Sequence, residues 1–168
     1  DLGSGLFKYP ATHSGGKEVY FILTSEISSI YSKKGKTYRV HNMVFSPSLK
    51  TTDRINERLS RVGNLASDGR PILGLDAAEL ARIVFDIDEN CMVIPAHIYT
   101  PWFSIFGSMS GFDKIEDCFE EQTSKIFAIE SGLSSDPKMS WRLSALDRFS
   151  IISNSDAHSP SKIGREAN

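Results

Sequence analysis

The chain reads as short unbroken apolar runs separated by stretches of helical period. Residues 19–24 (VYFILT) are β-branched and aromatic throughout and predict a buried strand. After the turn Lys33-Lys34-Gly35-Lys36, residues 38–45 predict a second strand, which Pro47 ends. Residues 52–62 predict a helix. Ile55, Leu59 and Val62 recur at i, i+4 and i+7, and Gly63 suits the position just past a helix end. Residues 76–85 predict another, with Asp76 and Glu79 at capping-box spacing and an apolar stripe of Leu80, Ile83 and Val84. Residues 91–95 predict a strand, followed by a long aromatic loop from 97 to 112. Asp113 and Glu116 then open a helix to about residue 121, and residues 125–129 predict a strand. Asp136 as N-cap and Pro137 at the first helical position start a helix through Leu146, and residues 149–153 predict the last strand. Residues 1–17, polar and glycine-bearing, predict a loop.

From residue 91 onward the order is strand, helix, strand, helix, strand. Continuous rather than alternating apolar runs are the mark of parallel strands buried on both faces and joined by right-handed crossovers. The expected class is therefore α/β, as an open doubly wound sheet or a β/α barrel.

A length of 168 residues predicts one domain. Charged residues are 24% and hydrophobic ones 40%, so the chain has enough apolar content for a core and is not a disordered polyelectrolyte. Two cysteines exclude a disulfide scaffold and a metal site built only of cysteines. No apolar run approaches the roughly 18–20 residues that span a bilayer, and the start lacks the basic and apolar regions of a signal peptide. A cytoplasmic protein with free thiols and no membrane partner is expected. The net charge of −2 gives no global reason for a polyanionic partner, but the charge is uneven. Residues 1–70 hold 11 basic and 6 acidic residues, and residues 71–168 hold 8 and 15. Two differently solvated faces would explain this split. So would a cation-binding half beside a basic half that meets an anionic substrate.

The unusual residues fall at or just past the predicted strands. Glu26 follows the first, His41 lies within or after the second, and His97 follows the third. Glu130 follows the fourth, and Asp156 and His158 follow the last. Strand ends form the active-site face of barrels and parallel sheets, so ligands far apart in sequence converge there. Asp156-Ala157-His158 is the most specific element, because alternate residues of an extended or turn segment can reach one metal. A mixed imidazole and carboxylate set without thiolate suits Zn²⁺, Mn²⁺ or Fe²⁺ better than Ca²⁺ or Mg²⁺. Glu26 or Asp156 could bridge two ions. His13, in the polar segment Thr12-His13-Ser14-Gly15, is expected to be exposed.

With these residues and the segments FILTSEIS, GNLASDGRPILGL, IPAHIYTPWFSIFGSMSGF, AIESGLSSDPKMSWRLSALD and SNSDAHSPSKIGREAN, the chain resembles the PHP family of metal-dependent phosphoesterases. Within that family it is most similar to the endonuclease Q branch. The resemblance implies a distorted β/α (TIM-like) barrel with two or three divalent ions. It also implies an enzyme that nicks DNA 5′ of uracil, hypoxanthine, xanthine or abasic sites in DNA repair. The family's His-x-His motif and the Cys-rich zinc region of endonuclease Q have no counterpart here, and the chain does not begin with Met. The expectation is a single, partial PHP domain over residues 1–168, missing its first strands and some ligands, and possessing little or no activity in isolation.

On this reading Glu26, Asp156 and His158 are catalytic, and Glu26, His41, His97, Glu130, Asp156 and His158 hold the metals. Glu130 is either a ligand or a group that orients an imidazole. The ions lower the pKa of a bound water and stabilise the leaving oxygen of an in-line displacement. Trp102 and Phe103 are candidate stacking residues for an unstacked base, or part of a packed cover. Arg70 and Arg165 are candidate phosphate contacts. Arg70 could instead pair with Asp68. Lys33, Lys34 and Lys36 read as solvated. The competing readings are a PHP phosphatase of small monoesters, a non-catalytic nucleic-acid-binding module, and a metal-dependent amidohydrolase.

Overall fold

The computed structural model describes residues 5–9, 18–66, 69–166 and 168. His13, most of the loop expected over residues 1–17, and Asp68 lie outside the described residues.

The centre of the fold is one long hairpin. Strand β2 (Val19–Lys33) pairs antiparallel with β3 (Lys36–Ser46) in an unbroken register from Leu23↔Ser46 to Lys33↔Lys36. The connection is the two-residue turn Lys34-Gly35, with φ of 51° and 79°. Two successive positive φ values make the type I′ turn whose twist matches that of the flanking strands, and Gly35 takes the second at no steric cost. Beyond β3, strand β5 (Met92–Pro95) adds antiparallel, with Val44 opposite Val93. On β2, β1 (Leu6–Tyr9) pairs antiparallel along Val19–Ile22, and the short β4 (Ile72–Leu73) pairs parallel at Ser28 and Ser29. A separate parallel pair joins β6 (Ala128–Glu130) to β7 (Ser150–Ile152).

This corrects the expected architecture. The five-stranded sheet is mostly antiparallel, no barrel closes among the described residues, and these form a mixed α/β domain rather than a TIM-like barrel. The physical reason lies in the connections. Parallel neighbours need a crossover of a dozen or more residues, whereas two residues between β2 and β3 force an antiparallel return. The run at 19–24, expected to be a buried strand, is not buried. Val19, Tyr20, Phe21 and Ile22 are exposed, in a ribbon with β1 that replaces part of the expected loop.

The two faces of the sheet differ as strand alternation demands. Ile27 on β2 and Val40 and Val44 on β3 point into the core, where they meet α1 (Leu49–Ser60) and α2 (Ala77–Ile87). Helix α1 starts earlier than its apolar period indicates, because Ser48 caps it by accepting from the Thr51 amide at 3.0 Å. It buries Thr51, Ile55 and Leu59. Helix α2 begins as expected, with Asp76 accepting from the Glu79 amide at 2.7 Å. It buries most of its length, with Leu80 and Val84 fully inside. The helix expected after Asp113 is the short α3 (Ile115–Phe119) followed by a 3-10 segment, Glu120–Lys125. The helix expected at 136–146 is one turn, α4 (Pro137–Ser140), capped by Asp136, and then a 3-10 turn.

The opposite face of the hairpin carries Glu26, Arg39, His41 and Met43. Glu26 pairs with Met43 and Ser28 with His41, so Glu26 and His41 are diagonal neighbours on one face. Residues 96–114, without helix or strand, fold over this face. They are held by the bonds Phe106 N–H to Ile98 O at 3.0 Å and His41 N–H to Phe103 O at 3.0 Å.

Candidate metal centre

Three side chains from three places in the chain converge here. Glu26 and His41 project from the middle of β2 and β3, and His97 sits two residues past β5. His41 Nδ1 lies 3.2 Å from His97 Nε2 and 2.7 Å from Glu26 Oε1, and His97 Nε2 lies 3.6 Å from the same oxygen. These ligand atoms all fall within 4.8 Å of one another. His41 is 4% and His97 8% exposed, so the imidazoles have little water to turn to. Glu26 Oε1 is buried and makes no aligned hydrogen bond, although a nitrogen is close. A buried acceptor facing two imidazole nitrogens in this way is a donor set that fits a divalent cation of the Zn²⁺ or Mn²⁺ type.

The electrostatics of the three are coupled. Burial alone would raise the Glu26 pKa, but the two imidazoles and the Arg70 guanidinium outweigh it and hold the carboxyl well below its usual range. Burial pushes His41 down, toward the neutral form that can act as a ligand, despite the opposing pull of Glu26. Burial also acts to lower His97, but Glu26, with Glu130 and Asp156, raises it overall.

The remaining expected site residues divide into groups. Asp156 and Glu130 join Glu26 and His97 in the lining of a cleft of about 160 Å³, which Thr24, Ser25, Met43, Ala96 and Asn154 complete. Glu130 is 3% exposed and accepts from the His97 amide at 2.8 Å and from Asn154 Nδ2 at 2.9 Å. Both of its oxygens are therefore engaged. Its contact with His97 is to the main chain and not to the imidazole. Burial raises its pKa from the ordinary value, against the opposing effect of these hydrogen bonds. His158 stands apart. Its side chain is 75% exposed and its Nδ1 lies 2.9 Å from the carbonyl of Asp156. Glu26, expected just past its strand, lies in the middle of β2, which corrects that expectation; His41 lies within β3, and strand pairing brings the two side by side.

The substrate-side residues also separate. Arg70 Nη1 lies 3.6 Å from Glu26 Oε1, a carboxylate neighbour of Arg70 among the described residues. Arg165 uses its guanidinium on the carbonyls of Ser155 and Asp156, at 2.7 and 3.2 Å, and so braces the turn that carries Asp156. Phe103 stacks on His41 with ring centroids 4.7 Å apart. Trp102 is 44% exposed, and the Arg39 guanidinium lies over its ring at 5.2 Å. Within the loop Ile98, Ile105 and Phe112 pack inside and Trp102 lies outside. Lys33 is not simply solvated. It pairs with Glu120 and reaches the carbonyl of Asp117.

Backbone strain marks the same place. Five non-glycine residues have positive φ among the described residues, and three of them are His97, Phe103 and Asp156. Such conformations cost about 1–3 kcal/mol each and persist where surrounding contacts over-determine them. For His97 those contacts include Glu130, Thr100 and Gly132. Sequence reasoning missed Thr100, Asn154, Gly132 and Arg39. Their signals are faint. Thr100 lies three residues after His97, Gly132 two after Glu130, Asn154 two before Asp156, and Arg39 two before His41 on the same strand face.

Among the described residues, no helix is long and apolar enough to cross a membrane. No family model matches the chain and no solved structure does. It is similar to the uncharacterized protein YqxK of Bacillus subtilis (strain 168), 33% identical over 169 residues that cover 96% of this chain and 41% of that protein. It is also similar to the uncharacterized protein MJ0043 of Methanocaldococcus jannaschii, 40% identical over 72 residues, 42% of this chain and 8% of that protein. The chain thus spans less than half the length of either of these curated relatives.

Proposed function

We propose that this chain carries the metal site of a phosphodiester hydrolase that nicks DNA beside deaminated bases or abasic sites, as its resemblance to the endonuclease Q branch of the PHP family implies. The observation that carries the reading is the convergence of His41 Nδ1, His97 Nε2 and Glu26 Oε1 at a buried point, with Asp156 on the same cleft. Divalent ions bound there would supply a water of near-neutral pKa and charge stabilisation for a leaving oxygen. Glu26, His41 and His97 hold the cation, and Asp156, whose Oδ1 lies 3.8 Å from His158 Nδ1, is the further cleft residue that adds an oxygen. Glu130 and Asn154 keep the His97 main chain in place. Arg70, beside Glu26, is the candidate contact for a phosphate oxygen, and exposed Trp102 offers a stacking surface for a base.

The test is nicking of a duplex containing a single deoxyuridine by the protein loaded with Mn²⁺ or Zn²⁺. The expected product is a cut 5′ of the uridine that disappears with chelator and in His97→Ala and Glu26→Gln. Nicking that survives chelation, or a fully loaded protein that cuts a chromogenic phosphate monoester and leaves DNA intact, would overturn the reading.

A further inference from the structure

We infer that Thr100 is a positioning residue that sets the tautomer of His97 and so raises the affinity of the cluster for a cation. The inference rests on reading Glu26, His41 and His97 as a metal site. The Thr100 hydroxyl lies 2.9 Å from His97 Nδ1, 2.8 Å from the carbonyl of Trp102 and 3.1 Å from the carbonyl of His97.

A threonine hydroxyl has one hydrogen to give and two lone pairs to receive with. Carbonyl oxygens only accept. The His97 carbonyl already receives the Thr100 amide at 3.0 Å. The Trp102 carbonyl receives no other donor among the described hydrogen bonds, and it is the nearest acceptor to the hydroxyl. The hydroxyl hydrogen therefore goes to Trp102. His97 Nδ1 must then carry its own hydrogen and donate it to Thr100 Oγ1. In a neutral imidazole that leaves Nε2 unprotonated, and Nε2 is the nitrogen that faces Glu26 Oε1 and His41 Nδ1. With the opposite tautomer a hydrogen would occupy the point where the ligand atoms meet. Ligating histidines are oriented in just this fashion by an acceptor on the second nitrogen. Here a hydroxyl serves, itself anchored to the loop that carries Trp102.

The test uses the metal-free protein first. Nitrogen-15 shifts of the His97 ring, read at about pH 9 where imidazoles are neutral, are expected to show hydrogen on Nδ1 and none on Nε2. Zn²⁺ affinity, read by competition with a chromogenic chelator, is expected to fall about 10–100-fold in Thr100→Val and to return in Thr100→Ser. A merely space-filling role would give the reverse, because valine keeps the volume and serine does not. Hydrogen on Nε2 in the wild type, or wild-type affinity in Thr100→Val, would overturn the inference. A wild-type protein that takes up no Zn²⁺ would overturn the metal reading itself, while the nitrogen shifts would still decide the tautomer.

Discussion

Replacing Gly132 by alanine isolates how tightly the site is built. Gly132 has φ of +60°, and a β-carbon placed on it would lie 2.7 Å from His97 Cβ and 3.1 Å from His97 Cα. Two carbons are at ease at about 3.5 Å or more, so His97 would have to retreat by roughly 0.8 Å. It has no slack for this, because its amide is bonded to Glu130 and its ring to Thr100. The cost has two parts. Left-handed backbone in an alanine costs about 1–2 kcal/mol, and the forced packing adds about 1–3 kcal/mol. Gly35→Ala is the matched control, since Gly35 has φ of +79° with nothing within 4 Å of a new β-carbon. Urea unfolding should give a loss of about 1–2 kcal/mol for Gly35→Ala and about 2–5 kcal/mol for Gly132→Ala. Chelator competition should give weaker Zn²⁺ binding, by about 10–100-fold, in Gly132→Ala alone. If both variants lost equal stability and both kept wild-type affinity, the idea that Gly132 packs His97 into position would be refuted.

Three further outcomes follow from parts of the fold remote from the site. Burial pushes the Cys91 thiol up to about 11 and raises Cys118 further still, so both should resist thiol reagents at pH 8 until urea unfolds the chain. The same shifts fix a sign. Stability linked to these thiols is intact below their ordinary pKa of about 8.5–9 and should decline as pH rises from there through about 11, because only the unfolded chain releases those protons readily. Asp76→Ala should remove the α2 cap and lower stability by about 1 kcal/mol in a urea titration, with no change in metal affinity.

What the sequence revealed of this molecule, and what it hid, follows from the range of the interactions involved. The caps at Asp76 and Asp136 are local, made within three residues, and could be read from spacing alone. The Lys34-Gly35 turn was legible too, and it already implied an antiparallel return. Reading residues 19–24 as a buried strand misled, since Phe21 and Ile22 are exposed in a ribbon with β1, and of the strands after residue 91 expected to be parallel, β6 and β7 pair in parallel while β5 pairs antiparallel with β3. Residue type pointed to Glu26, His41 and His97. The partnership of His97 with Glu130 spans 33 residues and runs through a backbone amide that no side-chain pattern encodes. The separation of His158 was hidden for the same reason, because only the path of the chain after β7 sets it apart.

The long hairpin also has a consequence for how the molecule assembles. Hairpins close in about 1–10 μs, so Glu26 and His41 can meet before distant segments arrive. Their meeting depends on register. Sliding one strand by a single residue would turn His41 toward the helices and bring Asn42 to the cleft in its place. His97 comes from a segment 56 residues beyond His41 and docks only when β5 has paired with β3. A cation that needs all three side chains would therefore bind the correctly registered, fully docked chain and no slipped form. At 100 times its dissociation constant it would favour that state by about 2.7 kcal/mol, so occupancy would double as proofreading of the strand pairing.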